Sequence, residues 1–298
     1  MATLYTEQSK NIRKTWLLMS FFLVLVIAIG YAVSWYFANS VIVYFAVALA
    51  LLINIIGYFQ SDKIALRLTG ARAIKKSEAP DLYNIVENLS ITAGLPLPKV
   101  YLVDDPAPNA FAAGRHPDRA VVVVTTGLLK VLDRTELEGV VAHELAHIGN
   151  RDILVMTVAV VLAGFIAILA DFFLRALWFG GDRDRHPIFL VVALVGIILA
   201  PIAAQMVQMA VSRKREYLAD ATGAMLTRYP SGLADALEKI SGYHGPMRKV
   251  SHATAHLFID DPFDNNHSKK GFKKSIGNLF STHPPATERI SRLRKLDA

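Results

Sequence analysis

Cysteine is absent from all 298 residues. Its absence removes disulfides, thiolate metal ligands and a cysteine nucleophile together, leaving His, Asp and Glu to hold any metal. A reducing compartment is compatible with this but not established by it. Acidic residues are also in deficit, with 25 Asp and Glu against 32 Lys and Arg and a net charge of +7. That surplus fits either a nucleic-acid partner or a membrane protein whose basic residues gather on the cytoplasmic side; their distribution along the chain decides between the two. Apolar residues are in no deficit. They make up 53% of the chain, and a mean hydropathy of +0.36 is too apolar for an ordinary soluble protein.

The apolar residues fall into long runs. Lys10, Arg13 and Lys14 precede a run from Trp16 to about Phe37, and Asn39-Ser40 turn the chain into a second run from Val41 to about Phe59. Each is long enough for a ~30 Å hydrocarbon core, which takes about 20 residues, and the first is too long for a signal-peptide core. Trp35, Tyr36, Tyr44 and Tyr58 lie near the ends of these runs, where aromatic belts form. A third run covers about 153–174 and a fourth 188–211, the latter containing Pro201 as a kink that spanning helices tolerate. Asp171 falls inside the third run, with Arg175 four residues on as its expected partner. Four spans put both termini on one side, together with residues 60–152 and Arg213-Lys214-Arg215. By the positive-inside rule that side is cytoplasmic, and the net charge is explained without nucleic acid.

Between the hairpins, Pro80-Asp81 open an amphipathic helix that stops near Gly94, and Lys99–Val103 reads as a strand. Asn109–Ala113 and Ala120–Val124 flank the turn-rich Gly114–Asp118, which predicts a hairpin. Such a small sheet offers an edge to which an extended peptide can pair, with Asn109, Ala110 and Phe111 as the candidate substrate strand.

The chemistry concentrates in Val140–Gly149. His143 and His147 are four apart, so on a helix they share one face. Two imidazoles so placed can bind one Zn²⁺, with Glu144 beside them as a base. Leu137, Val140, Val141, Leu145 and Ile148 recur at helical spacing, and Thr135 with Glu138 reads as the capping box that starts the helix. A catalytic zinc site usually has three protein ligands and an open position. The third is expected in Arg215–Asp220, read as a helical continuation of the fourth span. His147 and Glu216 each sit roughly 8–9 Å beyond the same membrane face at ~1.5 Å per residue. Spans three and four, joined by a short loop, bring them side by side. Asp220, one turn past Glu216, can accept a hydrogen bond from a ligating histidine. The plain alternative is that Glu216 and Asp220 are surface charges. A rival pair, His252 and His256, has no adjacent glutamate and lies in a polar insertion with His244 and His267.

The ordered set Asn109–Ala112, Val121–Leu129, Glu138–His147 with Asn150–Asp152, Arg215–Asp220, and Ser281-Thr282-His283-Pro284-Pro285 with Glu288–Ile290 resembles the HtpX-type membrane zinc metallopeptidases. These belong to the gluzincin group that also includes the Ste24-like CAAX proteases. The resemblance covers nearly the whole chain. It implies His143, His147 and Glu216 as zinc ligands, one Zn²⁺ per chain and Glu144 as general base. It further implies a bacterial inner-membrane enzyme, its site facing the cytoplasm, that cleaves misfolded or unassembled membrane proteins in quality control. His283 is the candidate second donor to the tetrahedral oxyanion; Tyr217 and a mere packing role for His283 stay as alternatives.

The expected fold is thus an α-helical integral membrane protein of four spans with a cytosolic α+β zincin-like metalloprotease domain. Residues 1–59 and 153–211 form the two transmembrane hairpins, and residues 60–152 and 212–298 the protease parts. The expected partners are the lipid bilayer and polypeptides, chiefly unfolded segments of membrane proteins. Two rivals are weighed. An intramembrane protease is opposed by Asn150-Arg151-Asp152, which separate the histidines from the span. A non-proteolytic zinc-binding scaffold or transporter is opposed by Glu144, which a structural site does not need. The topology is testable because the chain has no cysteine. In intact cells, Ser77→Cys and Ser281→Cys should be shielded from an impermeant thiol reagent while Gly181→Cys is labelled; labelling at 77 with protection at 181 would invert it.

Overall fold

In the computed structural model, residues 4–179, 202, 212–243, 245, 247, 257–259 and 284–297 are described. Helices α1 (Leu4–Phe37) and α2 (Val41–Thr69) form the expected hairpin. Its turn is closed by Ser34 Oγ donating to the Asn39 carbonyl at 2.8 Å and by Val41 N–H donating to Asn39 Oδ1 at 3.0 Å. Gly30 lets the helices approach closely, since a Cβ there would lie 2.2 Å from that of Ala46; small residues serve this purpose between membrane helices.

A third long helix, α6 (Asp152–Phe179), packs on both, burying Leu18, Phe22, Val26, Ala50, Ile53, Val158, Leu162 and Ile166 in one cluster. The outer faces stay apolar, with Trp35 79% exposed and Leu17, Tyr44 and Ile55 also exposed, the reverse of a water-soluble bundle. Three stretches, Gln8–Phe37, Val41–Thr69 and Asp152–Asp171, are long and apolar enough to cross a membrane. The fourth expected span, with Pro201, lies outside the described residues, and so does the side chain of Arg175 expected beside Asp171. Helices α1 and α2 both run on past their apolar stretches, so the membrane helices reach into the protease part.

That part contains a four-stranded sheet of order β1-β2-β4-β3, made of β1 (Arg72–Ala73), β2 (Lys99–Val103), β3 (Ala110–Ala113) and β4 (Val121–Thr125). The predicted hairpin is present, with β3 antiparallel to β4 in the register Ala110–Val124, and β2 is parallel to β4. Helix α3 (Pro80–Ala93) starts with Pro80 in its first turn and ends at Gly94, whose φ of 64° is the left-handed cap glycine favours. A short helix α4 (Thr126–Val131) leads into α5 (Arg134–Gly149), the helix that carries the paired histidines.

The start of α5 differs from expectation. Asp133, not Thr135, is the N-cap: its carboxylate accepts from Glu136 N–H at 3.0 Å, and Glu136 accepts from Asp133 N–H at 2.8 Å. Asp is as good a cap as Thr, and the box reads equally well two residues earlier. Glu138 instead pairs with Arg134 on the surface. From Glu136 to Ile148 every residue of α5 but Glu138 is buried. The sheet and α3 cover one side through Val122, Val124, Ile85 and Leu89; α8 (Pro230–Ser241) covers another through Leu233 and Leu237.

Helix α7 (Arg213–Thr227) is not a continuation of a preceding helix. Ser212 is extended (φ −147°, ψ 119°), so helical backbone does not run through it and α7 starts at Arg213. The last helix, α9 (Ala286–Arg294), packs on α8 and α7.

Two glycines set how closely these helices approach. A Cβ at Gly139 would lie 2.7 Å from Leu233 N, and one at Gly223 would lie 3.0 Å from His143 N, so α8 and α7 both press on the backbone of α5. Gly139→Ala should therefore cost about 1–3 kcal/mol, as overpacked interiors do. Gly164→Ala, with nothing within 4 Å, should cost nothing. Thermal unfolding of both variants in one detergent checks this; equal Tm values would refute the close approach.

Candidate metal centre

Helix α5 presents His143 and His147 from one face, and α7 brings Glu216 against them. The ligand atoms of the three residues lie within 4.8 Å of one another, and all three side chains are buried. His143 Nε2 and His147 Nε2 are 3.1 Å apart; Glu216 Oε2 is 3.9 Å from the first and Oε1 is 3.6 Å from the second. Two ligands ~2.0–2.1 Å from a tetrahedral ion lie ~3.3 Å apart, so these edges fit one ion of zinc size.

The outer ring nitrogens explain why the inner ones face each other. His143 Nδ1 donates to Asp220 Oδ1 at 3.0 Å, and His147 Nδ1 donates to Asp152 Oδ2 at 3.1 Å. In the neutral imidazole, with its proton held on Nδ1, each Nε2 turns a lone pair inward, and two lone pairs with a carboxylate are a donor set for a cation that can replace a proton there. Asp220 thus stands where the sequence placed it. Asp152 is its counterpart on the other histidine, and that role is not visible from spacing alone.

Electrostatics follow from burial. Burial pushes His143 down to about 4, aided by the charges of Arg289 and His147 and opposed by Asp220, so its imidazole is neutral near pH 7. Burial acts the same way on His147, but its hydrogen bond to Asp152 and the charges of Glu216 and Glu144 outweigh it and raise the group to about 9. The carboxylates around His147 therefore create a field that favours a cation. Burial raises Glu144 to about 7; Glu216 adds to this, while His147, Arg289 and a hydrogen bond donated by Ala112 N–H oppose it. Asp220 is also buried, yet the Arg289 charge and the bonds from His143 and Arg289 hold it down at about 2.

Two supports escaped the sequence reading. Arg289 of α9, 1% exposed, grips Asp220 through Nε at 2.9 Å and Nη2 at 2.7 Å, and its Nη1 lies 3.7 Å from Glu216 Oε2. Its only sequence signal is the Glu288-Arg289-Ile290 stretch of the resemblance. Asn11 of α1 is the second. Its amide donates to Asp152 Oδ1 at 2.6 Å and to the Asn150 carbonyl at 3.0 Å, and Gln8 donates to the Gly149 carbonyl at 2.7 Å. Arg215 joins the same group, with Nε 3.3 Å from Asp152 Oδ1. The first membrane helix is thereby tied to the end of the histidine helix.

Of the candidate substrate strand, Ala110 and Phe111 lie in β3 at an edge of the sheet near α5, and Asn109 immediately precedes it. The outward carbonyl of Ala110 accepts from Ile259 N–H at 2.9 Å, and Phe258 packs edge-on against Phe111 with ring centres 5.0 Å apart. The edge at Ala110 is thus engaged by the chain itself, whereas Ala112 one step along faces Glu144. Tyr217 is removed as an oxyanion donor, because its ring lies 3.8 Å under the Arg292 guanidinium and its hydroxyl bonds Glu288. His283, His252 and His256 lie outside the described residues.

A buried carboxylate beside converging metal donors, flanked by a sheet edge and rooted in apolar helices, marks a membrane metallopeptidase. Comparison with known proteins agrees: residues 76–297 match the model of Peptidase family M48. The chain belongs to that family, in its HtpX-type branch. It is 47% identical over 304 residues to the protease HtpX homolog of Caldanaerobacter subterraneus subsp. tengcongensis, covering 99% of this chain and 98% of that one. It is 47% identical over 286 residues to the homolog of Pyrococcus furiosus, covering 95% of each. Among solved structures, that of S. mikatae Ste24p is similar at a TM-score of 0.47 and 21% identity; the match spans 98% of this chain but 66% of that one.

If Asp152 orients His147, Asp152→Asn should weaken metal retention about 10–100-fold, as loss of a ligand's hydrogen-bond partner typically does. Asn11→Ala should weaken it less, because it loosens Asp152 without changing its charge. Metal content after graded chelation measures both. Retention unchanged in Asp152→Asn would remove it from the site.

Proposed function

We propose that this metallopeptidase is a zinc-dependent endopeptidase, with His143, His147 and Glu216 as ligands to one Zn²⁺ and Glu144 as general acid–base. The observation that carries the proposal is the convergence of both Nε2 lone pairs and the Glu216 carboxylate, with Glu144 held next to them by Ala112 N–H. The donors fit the ion: three nitrogen and oxygen ligands leave a fourth tetrahedral position for water or substrate. When bound, zinc supplies Lewis-acid polarisation of the scissile carbonyl and of the attacking water.

The chain's own groups carry the remaining steps. Glu144, raised toward neutrality by burial, takes the water's proton at its carboxylate and delivers it to the leaving amine. Asp220 and Asp152 keep both imidazoles in the Nδ1–H tautomer, and Arg289 positions Asp220. The part of the β3 edge beyond Ala110, next to Glu144, is the proposed place for an extended substrate to pair, which favours unfolded segments over folded ones. His283 is proposed as the second donor to the oxyanion.

The same proposal extends to location and substrate. Four spans, grouped in residues 1–59 and 153–211, would hold the protease parts 60–152 and 212–298 and both termini at the cytoplasmic face of a bacterial inner membrane. The basic residues flanking the spans support this. Misfolded or unassembled membrane proteins, cut in quality control, are the proposed substrates. Asn150 and the turn at Arg151 between α5 and α6 support a site outside the hydrocarbon.

Isosteric neutralisation separates metal binding from chemistry. Glu144→Gln should keep zinc near one per chain while cleavage falls by at least ~10²–10⁴-fold. Glu216→Gln should lose zinc to mild chelation and recover part of its activity in excess zinc, with Asp220→Asn between the two. Atomic emission beside cleavage of an unfolded test protein reads both. Loss of zinc from Glu144→Gln, with metal and activity retained in Glu216→Gln, would overturn the assignment.

A further inference from the structure

A second site of recognisable chemistry lies away from the metal, where the apolar helices meet the protease part. A cleft of about 360 Å³ opens there between α1, α2, the start of α6 and the loop from β3 to β4. Its apolar wall is Trp16, Tyr58 and Leu154, and its polar wall carries Arg115, Arg119 and Arg151. The apolar runs of α1, α2 and α6 begin or end within a residue or so of that wall, and Trp16 stacks on Tyr58 with ring centres 6.0 Å apart. Aromatic rings at the ends of spanning helices mark the headgroup level of a bilayer. The three guanidinium groups therefore stand at that level.

Among the described residues their charge is largely uncompensated. Arg115 lies over the Phe59 ring at 4.7 Å and the Tyr58 ring at 5.7 Å, contacts that fix its orientation and leave its charge in place. Arg151 donates to His116 Nε2 at 3.0 Å, and His116 Nδ1 meets Asp118 Oδ2 at 2.7 Å, so the carboxylate that lines the cleft among the described residues is engaged through a histidine. No carboxylate lies within ion-pair distance of the three arginines among the described residues. Arg151 also holds a left-handed φ of 57°, where glycine or asparagine would sit with less strain. An arginine in that place trades backbone ease for a charge facing the cleft.

We propose that this cleft binds the phosphate of an anionic phospholipid headgroup. Guanidinium groups pair with phosphate oxygens in matched geometry, and basic pockets between membrane helices recognise acidic headgroups. The acyl chains have a path, since Phe59 and Ile55, one turn apart on α2, are exposed and lead from the cleft toward the middle of the apolar run. A soluble phosphate compound would gain nothing from that apolar wall. The site also reaches the catalytic machinery. Arg115 lies two residues past β3, and Arg151 ends the turn after α5, so a bound headgroup braces both the strand that meets Glu144 and the end of the histidine helix.

The test uses the full-length protein in neutral detergent, with lipid retention read by native mass spectrometry. Mixed micelles supply phosphatidylglycerol or phosphatidylcholine, and a third arm supplies inorganic phosphate with phosphatidylcholine. The wild type should retain phosphatidylglycerol in preference to phosphatidylcholine. Arg119→Gln, at an exposed residue outside the metal centre, should lower that preference about fivefold, and Arg115→Gln with Arg119→Gln should lower it by about fivefold for each arginine lost. Lys130→Gln, an exposed charge elsewhere, should leave it intact. Equal retention of both lipids by the wild type, or an unchanged preference in Arg119→Gln, would overturn the site. Displacement of bound phosphatidylglycerol by millimolar inorganic phosphate would assign the cleft to a soluble phosphate and overturn the lipid.

Discussion

The hydrogen bonds from His143 to Asp220 and from His147 to Asp152 decide what the rest of the centre can be. An imidazole has two nitrogens and, when neutral, one proton; holding that proton on Nδ1 turns Nε2 into a donor of electrons. Both carboxylates are buried, and a buried charge is tolerated only when paired and hydrogen-bonded. Asp220 is paired by Arg289, and Asp152 by Arg215 and Asn11. Removing one partner from such a network typically costs about 3–5 kcal/mol, because it strands the other charge away from water. Asp220 with Arg289, and Asp152 with Arg215 and Asn11, are therefore coupled groups, each holding one histidine.

This explains why the membrane helices are part of the peptidase and not only its anchor. Asn11 and Gln8 belong to the helix that enters the bilayer, yet their amides satisfy Asp152 and the carbonyls of Asn150 and Gly149. Those carbonyls sit at the end of α5, where helical backbone has no partner of its own. The first spanning helix supplies the missing donors. A soluble fragment lacking α1 would leave Asp152 without one of its partners and the end of the histidine helix uncapped by Gln8 and Asn11.

Much of this was readable in the chain, and the remainder was hidden for physical reasons. One-sided burial made α3 legible by periodicity, the capping signal and apolar spacing located α5, and the turn-rich loop 114–118 between apolar runs marked the hairpin of β3 and β4. The apolar runs gave the membrane helices but not their length, since α2 continues to Thr69 with charges on its surface and no change in backbone. The cap of α5 was misplaced because Asp133-x-x-Glu136 and Thr135-x-x-Glu138 are the same signal two residues apart. The break at Ser212 left no mark at all: serine is ordinary both before a helix and inside one. Arg289 and Asn11 were invisible as members of the centre because their partners lie 69 and 141 residues away. Only the fold brings such pairs together, and no spacing rule reaches that far.

The central claim is that the two histidines present Nε2, together with Glu216, to a single ion. X-ray absorption at the zinc edge, on zinc-loaded protein in detergent, tests it most directly. The account predicts two imidazole nitrogens at ~2.0–2.1 Å with oxygen completing a four-coordinate shell. Replacing His143 or His147 by alanine should remove one imidazole from the spectrum. A shell with fewer than two imidazoles, or one unchanged by either replacement, would contradict it.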